Sequence, residues 1–407
     1  MRFRTALKLL PLVATSIAIH LWLLISAWPF TQVAPFNDVL LYGYWLDTMP
    51  KHSLLGVNVN WVYPYLALVP MALAKIVGGN AGILIGWVLL IAFIDTVAIC
   101  WLTQWGAGSR SRFTAAWFWL GFLVVLGPVA IGRIDAVATA LAVFGLIALT
   151  KNRIQMAAAF FTAGAWIKIW PVAMVLATFV GQAKKRVVAI GAAAVSAGVL
   201  VAGLIMGGNF ALLSFVTMQS NRGIQIESPI ATVWIWASKL GAPNTYMYFD
   251  NDLLTNQIAG GGVALVSSLM TWVMAGALAI TAWLGWRASK QAPLNETFSV
   301  IALTAVLDLI VFNKVGSPQF MAWLAVPTIA WIIFDRAKKK FLIAAVLLIA
   351  LLTQLVYPLL YIDLMGYGWL SIATLTARNL SLIALLVWSN LQLAKLAKPK
   401  VAYDSSN

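Results

Sequence analysis

Residues 154–186 read IQMAAAFFTAGAWIKIWPVAMVLATFVGQAKKR, a predominantly apolar run interrupted at its centre by Lys168 and Pro171 and closed by Lys184, Lys185 and Arg186. One helix crossing a bilayer uses about 20 apolar residues, so the run is long enough for one crossing or for two half-length helices. The basic residues elsewhere decide between these. Short clusters at Arg2/Arg4/Lys8, Arg110/Arg112, Lys151/Arg153, Lys184/Lys185/Arg186, Arg287/Lys290, Arg336/Lys338/Lys339/Lys340 and Lys395/Lys398/Lys400 hold 19 of the 27 basic residues. The positive-inside rule places all of them on the cytoplasmic side, so every interval between them crosses an even number of times. A single crossing after Arg153 would strand Lys184, Lys185 and Arg186 outside. The run therefore reads as a hairpin of two short helices with Lys168 at its outer tip.

The same parity organises the remainder. Of the 407 residues 62% are apolar and only 10% charged, which excludes a water-soluble domain and fits one membrane domain over 1–407. Further spans are expected near 9–28, 82–104, 113–130, 135–150, 187–206, 262–286, 296–312, 320–334, 341–358 and 371–391. The expectation is an all-α polytopic membrane protein with about twelve transmembrane helices, an uncleaved first helix and both termini cytoplasmic, in the plasma membrane. The two long outer loops are then 29–81 and 207–261. Residues 61–79 read as an interfacial helix anchored by Trp61, Tyr63 and Tyr65, because a crossing there would invert every later cluster. The net charge of +15 belongs to these loops and not to a nucleic-acid surface. One cysteine and two histidines exclude an internal disulfide scaffold and a Cys/His zinc cage, and no metal or other cofactor is expected.

The remaining charges collect at the outer ends of spans. In the first outer loop Asp38 opens a short helix, where it either caps the helix or stands as a carboxylate suited to taking a proton; Asp47 reads as a solvated charge at the helix end, and His52 follows it. Arg133 and Asp135 are two residues apart and cannot face each other on a helix, so each needs its own partner. Lys168 sits between Trp166 and Trp170, where a buried lysine implies an anion or a water-filled cavity unless it snorkels to the interface. Arg222, Gln225 and Glu227 alternate with Ile224 and Ile226 as in an extended segment. Asn313, Lys314 and Gln319 follow the ninth span. Asp308 and Arg378 lie at similar depth, either as a buried ion pair or with Arg378 as part of an anion site. Asp250 and Asp252 form a D-x-D that reads as a polar loop.

Asp38 in the first outer loop, Arg-Gly-Ile-Gln-Ile-Glu-Ser at 222–228 with Pro229 and Ala231, and Asn-Lys-Val-Gly-Ser-Pro-Gln at 313–319 with Trp323 and Pro327 resemble glycosyltransferase family 87. These are actinobacterial polyprenol-phosphate-mannose-dependent α-mannosyltransferases of GT-C fold. The resemblance implies an outer-loop acid, Asp38, as catalytic base, a polyprenyl-phosphate sugar donor (mannose or arabinose), an acceptor glycolipid or glycan of the envelope, and an extracytoplasmic site with inversion at the sugar. Lys168, Arg222, Lys314 and Arg378 are then candidates for the donor phosphate, and Asp47, His52, Arg133, Asp135, Gln225, Glu227, Asn313 and Gln319 for the lining. The other class that suits twelve spans with intramembrane charges is a transporter or flippase of an anionic lipid-linked substrate. The large outer loops and the lack of repeat symmetry weigh against it.

Overall fold

The computed structural model describes residues 2–30, 33–182, 184–218, 222–334 and 336–399. In chain order the helices are α1 (Arg2–Ala27), α2 (Asn37–Thr48), α3 (Leu68–Gly78), α4 (Ile83–Leu102), α5 (Arg110–Leu126), α6 (Asp135–Thr150), α7 (Ile154–Ala165), α8 (Val172–Gly181), α9 (Lys185–Ile205), α10 (Ser214–Thr217) and α11 (Thr232–Lys239). A hairpin of β1 (Tyr246–Asp250) and β2 (Thr255–Ala259) follows, then α12 (Val263–Ser289), α13 (Leu294–Val311), α14 (Ala325–Ile333), α15 (Lys339–Gln354), α16 (Tyr361–Met365) and α17 (Trp369–Leu396). Among the described residues seven helices are long and apolar enough to cross a bilayer: α1, α4, α9, α12, α13, α15 with its continuation to Leu359, and α17. The other expected crossings fall on shorter helices, among them α7 and α8, which flank Lys168 as the hairpin reading requires.

α13 and α14 form the buried centre, with α13 packed against α8, α12, α14 and α17, while α12 leaves most of its surface open to the surroundings. Several polar side chains inside the bundle are paired, which offsets the cost of holding them away from water. His20 Nε2 lies 3.2 Å from Asp95 Oδ2 and joins α1 to α4, while His20 Nδ1 donates to the Ser16 carbonyl at 2.8 Å. Asp308 accepts from Thr281 Oγ1 at 2.6 Å instead of pairing with Arg378. Gly86 lets α3 and α4 cross closely, since a Cβ there would collide with the Ala74 carbonyl.

Contacts at the basic end obey the charge parity. Arg112, at the start of α5, donates to Leu102 O at 3.1 Å and Thr150 Oγ1 at 2.8 Å, so the ends of α4 and α6 meet the start of α5. Arg336 beyond α14 likewise donates to the Glu296 carbonyl at the start of α13.

Two expectations are corrected. The segment 61–79 carries a helical run, Tyr65–Ala81, that belongs with the shorter apolar helices of the bundle. However, Trp61 and Tyr65 are not lipid anchors. Trp61 is buried edge-on against Trp45 at 5.4 Å and Tyr63 at 5.3 Å, and the Tyr65 hydroxyl donates to Val199 O at 2.6 Å, because α9 and the chain after it cover this loop. The second correction is the β-hairpin, whose register runs from Tyr246 opposite Ala259 to Asp250 opposite Thr255. The D-x-D forms its turn: Asp250 Oδ1 accepts from the backbone N–H of Asp252 and of Leu253, each at 3.0 Å.

Sidedness is open to a direct test in a Cys100→Ser background. Single cysteines at the exposed positions Asn60 and Asp252 should react with a membrane-impermeant thiol reagent on intact cells, and one at Asn152 only after permeabilisation. Labelling of Asn152→Cys but not of Asp252→Cys on intact cells would reverse the orientation.

Candidate functional site

At the end of the bundle opposite the basic clusters, the loops bring several of the remaining charges together. Asp38 lies in the first turn of α2, which starts after Phe36 with no side-chain cap, so Asp38 is not the cap. Its Oδ2 is 3.2 Å from Arg133 Nε, and its side chain keeps 29% exposure. Arg133 is buried and anchored on three further oxygens: Pro35 O at 2.6 Å, Gly132 O at 3.2 Å and the Tyr357 hydroxyl at 3.4 Å. Among the described residues the Asp38 carboxylate takes no other ion pair or hydrogen bond.

Asp135 opens α6 with a different partner, as the two-residue spacing requires. Trp323 Nε1 donates to its Oδ1 at 2.7 Å, while its Oδ2 is buried without a hydrogen bond and lies 3.9 Å from Lys168 Nζ. Lys168 also stands 4.5 Å from the centre of the Tyr63 ring. Burial, and after it the carboxylates of Asp38 and Asp135, push the Tyr63 phenol far above its ordinary pKa, so it remains a neutral hydroxyl beside them.

Lys168 is within electrostatic reach of Arg222, and Arg222 of Lys314. Burial first, and then this like charge, hold the Lys314 ammonium below the usual lysine range. Three cations thus converge from the α7–α8 link, the 222–228 segment and the loop after α13. Arg222 Nε is buried with no hydrogen-bond partner among the described residues, a donor that an anion could satisfy.

The extended reading of 222–227 holds as far as Gln225; Ile226 and Glu227 then turn, with Ser228 N donating to Gln225 O at 3.0 Å, and Gln225 and Glu227 are buried like the isoleucines beside them. Ile258 N donates to Ile224 O at 3.0 Å, Ile226 N to Asn256 O at 3.1 Å and Gln225 N to Lys314 O at 2.9 Å, so the segment lies between the hairpin and the 313–319 loop. Ser317 Oγ donates to Gln225 Oε1 at 3.2 Å, and Gly316 abuts the Ser228 backbone so closely that a Cβ would overlap it. Asn313 turns inward on its own loop to accept from Val315 N at 2.9 Å, and Gln319 is half-buried at the start of the following turn.

Glu227 is 2% exposed; Tyr361 donates to its Oε1 at 2.8 Å and its Oε2 has no hydrogen bond. Arg378, 1% exposed, donates to the Glu227 carbonyl and, at 3.0 Å, to Asn379 Oδ1. The guanidinium is thus spent on the backbone that presents Glu227. Burial pushes the Glu227 carboxyl above the usual range, against the opposing pull of Tyr361 and Arg378. A carboxyl raised on folding stabilises the protein least once pH exceeds the folded value, since the folded state then holds an unfavourable charge. Glu227→Gln should match wild type in thermal stability near pH 4 and exceed it progressively towards about pH 8; parallel unfolding curves at all pH values would contradict this.

Asp47 and His52 are not brought to this cluster. Asp47 is about 13 Å along α2 from Asp38 and forms an exposed ion pair with Lys75. His52 is exposed in a turn, with its carbonyl accepting from Asn58 Nδ2 at 2.9 Å. Three tyrosines that residue typing passed over belong here instead. Tyr63 lies in the field of both acids, and Tyr357 and Tyr361, with ring centres 5.2 Å apart, link Arg133 to Glu227. Their sequence signal is a polar tip at i and i+4 beside Pro358, where the apolar run of α15 ends.

The molecule is thus a polytopic membrane protein in which Asp38, Arg133, Asp135, Lys168, Arg222 and Lys314 gather at one end of the bundle, the Asp38 carboxylate part-exposed among them. The chain belongs to glycosyltransferase family 87, whose model matches residues 61–313, and its activity is glycosyl transfer at a membrane. The match takes in Arg133, Asp135, Lys168, Arg222 and Glu227, and Asp38 precedes it. A comparison with curated proteins finds no match.

Proposed function

We propose that the protein is a GT-C-type transferase that moves a sugar, mannose foremost, from a polyprenyl-phosphate donor to a glycolipid or glycan acceptor on the outer face of the plasma membrane. The observation that carries this reading is the pairing of a part-exposed carboxylate, Asp38, held by Arg133 through one oxygen, with the neighbouring cations Lys168, Arg222 and Lys314. Asp38 takes the proton of the acceptor hydroxyl as that oxygen bonds to the anomeric carbon. The bond from this carbon to the phosphate oxygen breaks, its electron pair stays on the phosphate, and the sugar inverts. A phosphate leaves without a general acid, so the chemistry asks for one base and for cations where charge grows. Arg133 fixes the carboxylate, and Tyr63 offers a neutral donor to the substrate.

Incubating purified protein in detergent with labelled polyprenyl-phosphate mannose and arabinose tests this. Release of polyprenyl phosphate with label in an acceptor supports it; binding without turnover of either donor would return the flippase reading. Because lysine and arginine occupy the phosphate position and Asp250 serves the hairpin turn, transfer should survive excess chelator with less than about a twofold loss. Loss of activity under chelation with recovery on added manganese or magnesium would move the phosphate site to Asp250 and Asp252.

A further inference from the structure

At the other end of α7 and α9 the structure holds a second feature that the transfer reaction leaves unused. Between the first turns of these helices lies a cavity of about 920 Å³, walled on one side by Ile154, Met156 and Ala159 and on the other by Val187, Gly191 and Val195. Its mouth carries Arg153 and Lys184, both exposed. Midway along it α7 and α9 touch at Gly191, where a Cβ would come within 2.5 Å of the Gln155 carbonyl, so the packing of the helices themselves forms the wall of the groove.

The charge around it is of one sign. No acidic residue lines the cavity, and none occurs anywhere in the sequence between Asp135 and Glu227, although Lys151, Arg153, Lys184, Lys185 and Arg186 crowd this end. The helices that form the groove therefore bring no carboxylate to its cations. An apolar trough with a basic mouth at the membrane surface is complementary to an anionic head on an apolar chain. From Val187 to Val195 the groove runs about 12 Å along α9, close to the depth of one leaflet of a 30 Å hydrocarbon core and too short for a long polyprenyl chain.

We propose that this groove is a binding site for one anionic glycerophospholipid of the leaflet that faces the basic clusters, its phosphate on Arg153 and Lys184 and one acyl chain between α7 and α9. The site is separate from Asp38 and its neighbours, since the length of α7 lies between it and Lys168.

Native mass spectrometry of the full chain, titrated with phosphatidylglycerol or phosphatidylcholine, tests the proposal. The expected result is a single phosphatidylglycerol adduct at least about tenfold more abundant than the phosphatidylcholine adduct. Arg153→Gln with Lys184→Gln should bring the two lipids level, and Ala194→Phe, at an exposed groove position, should abolish the adduct with the charges intact. Inorganic phosphate at millimolar concentration should leave the lipid adduct in place. Equal binding of both lipids by wild type, an unchanged adduct in either variant, or displacement by inorganic phosphate would overturn it.

Discussion

Asp38→Asn will fold and insert as wild type does and will lose sugar transfer by about 10²–10⁴-fold, the usual contribution of a positioned general base. The amide is nearly the same shape and can still accept from Arg133 Nε, but it cannot hold the proton of an acceptor hydroxyl. The competing role for Asp38 is purely structural, as counter-ion to a buried guanidinium. Removing one partner of a fully buried ion pair costs about 3–5 kcal/mol. Here the cost is blunted, because Arg133 keeps Pro35 O, Gly132 O and the Tyr357 hydroxyl and because Asp38 is itself 29% exposed. The two roles therefore separate experimentally. A base mutant shows a collapsed kcat with donor KM little changed and a near-normal thermal midpoint. A counter-ion mutant shows a lowered midpoint, and the fraction that remains folded turns over normally. Asp47→Asn, which alters only an exposed pair with Lys75, should keep more than half the wild-type rate, since surface ion pairs contribute little. Retention of more than about a tenth of the rate by Asp38→Asn would pass the role of base to another carboxylate, Asp135 or Glu227.

What the sequence discloses of this arrangement follows the range of the interactions involved. Span positions are set by local hydropathy and by the sign of short loops, so the helices fall close to the expected segments, and the break at Lys168 and Pro171 yields α7 and α8. The motifs at 222–228 and 313–319, read as two separate polar stretches, are one structure: Gln225 N bonds Lys314 O, and Gly316 admits the Ser228 backbone. Pairing of that kind is a tertiary fact with no local periodicity behind it. The same holds for Asp38 with Arg133 and for Asp135 with Lys168 and Trp323. Residue spacing could say that Arg133 and Asp135 do not serve each other, but not whom they serve. Tyr63 was legible only as an aromatic near an interface, because its value lies in a neutral hydroxyl under the influence of two acids distant in sequence. The hairpin at 246–259 was hidden by its short strands, which carry a polar turn within a chain dominated by helix-forming apolar runs.

Lys168→Ala and Arg222→Ala should each lower kcat by about ten- to a hundredfold, whereas Arg378→Ala should chiefly lower stability. A charge-assisted hydrogen bond to phosphate is worth about 1.5–3 kcal/mol, and each 1.4 kcal/mol is tenfold in rate when the bond strengthens as charge develops on the leaving group. Lys168 and Arg222 fit that role, since Lys168 lies in the field of Arg222 and Arg222 Nε is a buried donor with no hydrogen bond among the described residues. A donor phosphate would add an acceptor for the Arg222 Nε beyond the carboxylate that already faces Lys168, so donor lipid should raise the thermal midpoint of wild type more than that of either alanine variant. Arg378, though a cation at similar depth, has its guanidinium on the Glu227 carbonyl and on Asn379. Its loss leaves that carbonyl buried and unpaired, at a cost of about 1–3 kcal/mol, and the rate per folded molecule should fall only as far as Glu227 shifts. Arg222→Lys distinguishes a bidentate contact from a point charge: a fork on two phosphate oxygens would leave the lysine variant close to the alanine rate, and a simple field would restore most of the activity. Should Arg378→Ala instead remain stable and lose kcat to the same degree as Lys168→Ala, the phosphate would lie deeper, against α17. If all three variants were unstable yet turned over normally once folded, the cations would serve the fold and not the donor.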